Sequence, residues 1–458
     1  MTSDATFAAF LDSLTNAATI PSDVHTAVAQ HSLELCTCLL AGASVAEMQP
    51  VLQIHARRDG AVAVPTTSVR SELALAAAAT AALSHAAEMD PIHAPTVICP
   101  AAVTIPAALA VAQKSRVSGL RYVSAICGGY EVAVRTGRTL NSAALLAAGW
   151  WPTAVCGSMA AAITAAICMG LEGEQLRDAM GLAAVHAGGL AIGGTSAPVA
   201  RNLLCAHTVR IGVDAALAAR SGVEGPRDIF TGSRNILTAF GRNPDASPLT
   251  AALGQSWAVL ETSLKTWPCA LQAQSALDAL TRIMIGRKAA GSVQSIEIRL
   301  PAAMQRIVDR PGPPNSRWAA AASLQFLAAA LLIDDDLLES RMGSTAGRTD
   351  ARILELMQRI HVTGDASLDS RYPQEWPSVL TLRDAGGEVT AECAVPPGHP
   401  SRRMSFSASD ERFRRHATPR LAPEKIEGTI SFLRSLEAQS DVGQIIELLH
   451  PQPVPRAP

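Results

Sequence analysis

The stretch HAAEMDPIHAPTVICPAA, His85 to Ala102, gathers acids, imidazoles and a thiol in a chain otherwise poor in charge. Glu88, Asp90, His93 and Cys99 are groups that give and take protons, and removing a proton beside a carboxylate needs such groups close together. His93 is the natural base, and Glu88 qualifies if its environment raises its pKa. Cys99 qualifies only if neighbouring cations stabilise its thiolate. Each has a plainer use: His93 as a loop bridge, Glu88 as an arginine partner, Cys99 as a small packing residue. With His85 added, the stretch has metal-ligand chemistry but no standard ligand spacing, so no metal is expected.

These residues need rigid supports. Leu73 to Ser84 and Val103 to Ala112 are Ala/Leu/Val runs that read as helix. Pro91 and Pro95 end the first helix, because proline lacks an amide hydrogen and restricts the residue before it. The acidic stretch is therefore expected as an irregular loop held between two helices. Helices are also read at 5–20 and 21–45; after Arg121 to Leu140 the apolar run at 155–171 reads as a buried helix, a further helix runs to Val185 after the turn at 172–174, and Leu203 to Arg220 is helical again. A short strand is read at Val62 to Pro65. The Gly-rich segment 187–202 reads as a loop, and no strand precedes it, which excludes a dinucleotide fingerprint. His186 and His207, on apolar stretches, read as core histidines.

Beyond residue 262 the pattern changes. Val293 to Leu300 alternates as a half-buried strand does. SVLTLRD and EVTAECA, joined by residues 385–387, read as a hairpin. Helices are expected at 317–333 and 351–360, PPGHP at 396–400 reads as a linker, and 421–449 returns to helix. The fold class is mainly α: a large all-helical domain over 1–262 plus 400–458, and a smaller α+β lid over 263–398.

Composition narrows the function. Hydrophobic residues are 48%, charged residues 17% and aromatics 4%, with a formal net charge of −2. No basic run carries interleaved aromatics, so nucleic acid is not an expected partner. The apolar runs are too short or too small-sided for membrane spans of about 20 residues. Nine cysteines without framework spacing suit reduced thiols, and no signal peptide is read, so a cytoplasmic protein is expected.

Taken together, HAAEMDPIH…PAAVTIPAALAVAQ, GGYEVAVRTG, GWWPTAVCGSMAAA, RNLLCAHTVRIGVDAALAARSGVEGP, LKTWPC and SLQFLAAALL resemble the MmgE/PrpD family. That family includes 2-methylcitrate dehydratase, cis-aconitate decarboxylase and iminodisuccinate epimerase. The resemblance implies a homodimer, a small carboxylate substrate, no cofactor and a pocket between helical domain and lid. By position it implies catalytic roles for Lys265, His93, Glu88 and Cys99. It implies substrate-binding roles for Asp90, Arg201, Trp151 and Cys269. The sequence departs from the family pattern where histidines become Cys99, Trp151 and Ala270, a lysine becomes Arg201 and a tyrosine becomes Phe326. Negative charge building on a substrate oxygen requires cations, and Lys265 and Arg201 supply them. Lys265 is expected to be partly solvated. A dehydratase or decarboxylase is the leading reading, a dicarboxylate epimerase the next, and a binding homologue without catalysis the third.

Overall fold

The Ala-rich run before the acidic loop folds as the helix Leu73–Ser84, and every residue from Ala74 onward is buried. A helix apolar on all sides belongs inside a bundle. The helix after the loop, Pro100–Ala112, and the helix Pro152–Cys168 are buried along their whole lengths. Pro152–Cys168 packs against Gly119–Thr139, Pro198–Arg220 and Pro100–Ala112, and Leu73–Ser84 packs against Pro198–Arg220. This computed structural model describes residues 2–192, 198–242, 244–285, 293–333 and 338–451.

Small side chains let the helix backbones approach closely. A Cβ on Gly42, near the end of the helix Ser22–Ala43, would run into the carbonyl of Leu83. Leu83 lies at the end of the helix that delivers the acidic loop, so this contact sets where the loop begins. We expect Gly42→Ala to destabilise the fold by about 1–3 kcal/mol through overpacking. Urea denaturation checks this, and an unchanged midpoint would show that the two helices separate at no cost.

Contacts divide the chain into two compact units, Met1–Ser263 with Ser405–Pro458, and Leu264–Met404. In the first, a buried ion pair within Gly119–Thr139 organises the segment leading to the domain crossing. Glu131 pairs with Arg135 and accepts from the Ala258 amide, while Arg135 donates to the carbonyls of Pro248 and Ala251. Buried charges persist when paired and fully hydrogen bonded in this way. The C-terminal segment returns to this unit, where Arg412 pairs with the buried Glu34. The helix carrying Arg412, Phe406–Ala417, is not read from its polar sequence; Ser405 caps it by accepting from the Ala408 amide.

The second unit contains a four-stranded sheet ordered Ile360–Gly364, Val293–Leu300, Ser378–Asp384, Gly387–Cys393. The first pair is parallel and the others antiparallel. The strand and hairpin read from the sequence are present, and Asp384 pairs with Gly387 across a two-residue turn. The expected helix at 351–360 stops at Met357, and Ile360–Gly364 is a strand that the sequence reading missed. The PPGHP segment lies inside this unit: Gly398 accepts from the Leu264 amide. Among the described residues, no single helix is long and apolar enough to cross a membrane.

Candidate active site

Between Ser84 and Pro100 the loop is tied down at several points. Ile92 and Ser263 exchange backbone hydrogen bonds of 3.0 and 2.9 Å. His93 and Ile98 form a second bridge around the short turn Ala94–Thr96, which Val97 closes in the left-handed region. Gly137 permits this packing, since a Cβ there would press on Ile98 and Thr96. Glu88 also has positive φ, 58°. That conformation costs a non-glycine residue about 1 kcal/mol, and the Glu88 carboxylate pairs with Arg201.

The loop folds three of its side chains together. His85 Nδ1 lies 2.9 Å from Asp90 Oδ2. A donor atom of Cys99 joins them, so that nitrogen, oxygen and sulfur all lie within 4.8 Å of one another. The relative exposures are 3%, 0% and 5% for His85, Asp90 and Cys99. Cys99 is the residue preceding Pro100–Ala112, and its amide donates to Thr153 Oγ1 at 3.2 Å. Trp151 is buried with its ring 5.3 Å from that of His85. Close by, Tyr130 is hydrogen bonded to His31 at 2.9 Å. Burial pushes the Tyr130 phenol well above its ordinary value, with further contributions from Tyr122, Cys127, Cys99 and Asp90.

His93 belongs to a different set of contacts. Its Nδ1 meets Thr96 Oγ1 at 2.7 Å, and its Nε2 lies 3.3 Å from Arg138 and 3.7 Å from Glu261. Burial pulls its pKa below 6.5, against the opposing hydrogen bond to Glu261. Both ring nitrogens are engaged in these contacts, which fasten the loop. Glu261 and Arg138, which pair with each other, were missed in the sequence because no motif surrounds them.

This cluster has a pH signature. Burial raises the Glu261 carboxyl, but the His93 and Arg138 hydrogen bonds and charges outweigh it and hold the pKa at about 2. As pH falls below the ordinary glutamate value of 4.5, the unfolded chain takes up this proton first. The stability due to Glu261 is complete above 4.5 and is lost as pH falls through about 2. His93 acts in the same direction, because below 6.5 the unfolded imidazole is protonated before the folded one. We expect Glu261→Gln to flatten the acid limb of a stability–pH profile measured by urea denaturation. Profiles that stay parallel below pH 4.5 would contradict this assignment.

Other candidates are placed as follows. Arg201 lies in the first turn of Pro198–Arg220, not on a loop, and burial lowers its guanidinium to about 10. The part of the Gly-rich segment at 193–197 lies outside the described residues. Lys265 is only 3% exposed, so the expectation of partial solvation is corrected. Cys269 is fully buried, accepts from Gln274 Nε2 at 3.2 Å, and has its thiol pushed up to about 12 by burial despite the opposing charge of Lys265. Phe326 is a core residue. His186 and His207 are exposed, not core, because each falls on the outward side of its segment.

The first unit presents a buried carboxylate, imidazole and thiol on one loop, and the second is an α+β unit. Residues 5–249 match the MmgE/PrpD N-terminal domain and residues 267–438 the MmgE/PrpD C-terminal domain. The chain belongs to the MmgE/PrpD family. A cis-aconitate decarboxylase-like protein of Aspergillus oryzae is 26% identical over 387 residues, covering 80% of each chain. The cis-aconitate decarboxylase of Homo sapiens is 24% identical over 76% of this chain and 74% of its own. That of Aspergillus terreus is 25% identical over 70% of each.

Proposed function

We propose that this chain is a lyase that decarboxylates a small unsaturated polycarboxylate of the cis-aconitate type. The observation that carries the reading is the buried His85–Asp90–Cys99 constellation in a chain similar to cis-aconitate decarboxylases over most of its length. Decarboxylation breaks a C–C bond, releases CO2 and leaves the electron pair on carbon, where it must be stabilised and then protonated. Asp90 orients the imidazole of His85 and supports its positive form, as a buried carboxylate does for a catalytic histidine. His85 and Cys99 are the proton-transfer groups of this scheme.

Cations answer the charge that develops on substrate oxygens. Arg201, already paired with Glu88, suits bidentate binding of a carboxylate, and Glu88 sets its orientation. Lys265 is the second cation. It follows Ser263 by two residues, so chain length alone keeps its Cα within about 7 Å of that of Ser263, the partner of Ile92. Trp151 shapes the apolar wall beside His85.

The test is incubation of the purified protein with cis-aconitate and a panel of di- and tricarboxylates, followed by NMR. Release of CO2 with a product one carboxylate shorter supports the proposal. Loss of water would mark a dehydratase, inversion with deuterium uptake an epimerase, and binding without turnover a non-catalytic homologue; each would replace the decarboxylase reading.

A further inference from the structure

We propose that His85, Asp90 and Cys99 also form a binding site for a thiophilic divalent cation, with zinc(II) as the natural probe. Spacing along the chain gives no reason to expect this, since positions 85, 90 and 99 match no standard metal motif. The fold supplies what spacing does not. One imidazole nitrogen, one carboxylate oxygen and one sulfur, each on a residue at least 95% buried, lie within 4.8 Å of one another. Zinc takes these three donor types at about 2.0–2.3 Å, which puts tetrahedral ligand pairs about 3.3–3.8 Å apart. Binding draws the three atoms into that range and opens the 2.9 Å His85–Asp90 hydrogen bond.

The ligand set also matches the charge of the ion: as the ion displaces the thiol proton, carboxylate and thiolate give two negative ligands against two positive charges, with an imidazole beside them. The supports of a metal site are also present. Trp151 packs on the His85 ring, and the Thr153 hydroxyl holds the Cys99 amide. Arg201 is paired with Glu88. Three protein ligands leave one position of a tetrahedron open, the arrangement of an ion that also meets solvent or a carboxylate.

The consequence is a site with two exclusive states. With the ion bound, the Cys99 lone pair is committed and the thiol is lost to proton transfer; without it, the thiol is available. The binding proposal itself does not depend on the identity of the substrate.

Cobalt(II) titration of the full-length protein tests it, because cobalt in a zinc-like site reports sulfur ligation as a near-ultraviolet charge-transfer band. One equivalent per chain with that band is expected. Cys99→Ser should abolish the band, and His85→Gln should weaken binding by about 100-fold or more. No binding, or a band that persists in Cys99→Ser, would overturn the proposal. Should Cys99→Ser fail to fold by circular dichroism, X-ray absorption of the zinc-loaded wild-type protein decides. One sulfur with nitrogen and oxygen neighbours supports the site, and a shell with no sulfur or several sulfurs refutes it.

Discussion

Lys265→Met should lower kcat/KM on the true substrate by roughly 100- to 1000-fold, the scale on which a positioned electrostatic group acts. Methionine keeps much of the aliphatic stem and removes the charge that answers a developing carbanion. Because Lys265 is only 3% exposed, its ammonium stands away from bulk water. Lys265 has interaction partners in the fold, and taking one member from a set of buried polar contacts leaves the others unsatisfied. The denaturation midpoint should therefore fall modestly while turnover collapses. Lys265→Arg should recover part of the activity, since the charge returns with a different geometry. Full turnover in Lys265→Met would remove this lysine from the site.

Asp90→Asn should cost about 100- to 10,000-fold in kcat, the range for a group that controls acid–base catalysis. The substitution conserves shape, but an amide neither fixes the His85 ring as a carboxylate does nor supports its positive form. Glu88→Gln should act differently. Glu88 and Arg201 form a partly accessible pair, and disturbing it should raise KM more than it lowers kcat. Parallel measurement of both constants in the two variants separates proton transfer from substrate positioning. Equal effects on both constants in both variants would mean that the two groups do not have separate roles.

What the sequence disclosed about this architecture depended on the kind of signal. Ala/Leu runs such as Leu73–Ser84 are unmistakable, because no other element buries so uniform a surface. The alternation of Val293–Leu300 and the Gly turn after Asp384 were equally plain. Ile360–Gly364 was not, since an edge strand of mixed polarity directly after a helix has neither a clear period nor a break before it. Phe406–Ala417 was missed for a related reason: it is so charged that its one apolar stripe is faint. In the candidate site, the crowding of Glu88, Asp90, His93 and Cys99 pointed to the loop that carries the buried cluster. Which of them meet was not legible, because that depends on the turn at Ala94–Thr96. That turn carries His93 to Arg138 and Glu261, while His85, not among the catalytic residues read from the sequence, joins Asp90 and Cys99.

The central claim is that the His85–Asp90–Cys99 loop transfers a proton to a carbanion left by loss of CO2. The most direct measurement is NMR of the reaction with cis-aconitate in D2O, run side by side with the wild-type protein and Asp90→Asn. The account predicts CO2 release by the wild type, with one deuterium carried into the product, and a rate reduced at least 100-fold in Asp90→Asn. Decarboxylation at an undiminished rate in Asp90→Asn, or turnover of other carboxylates but none of this class, would contradict it.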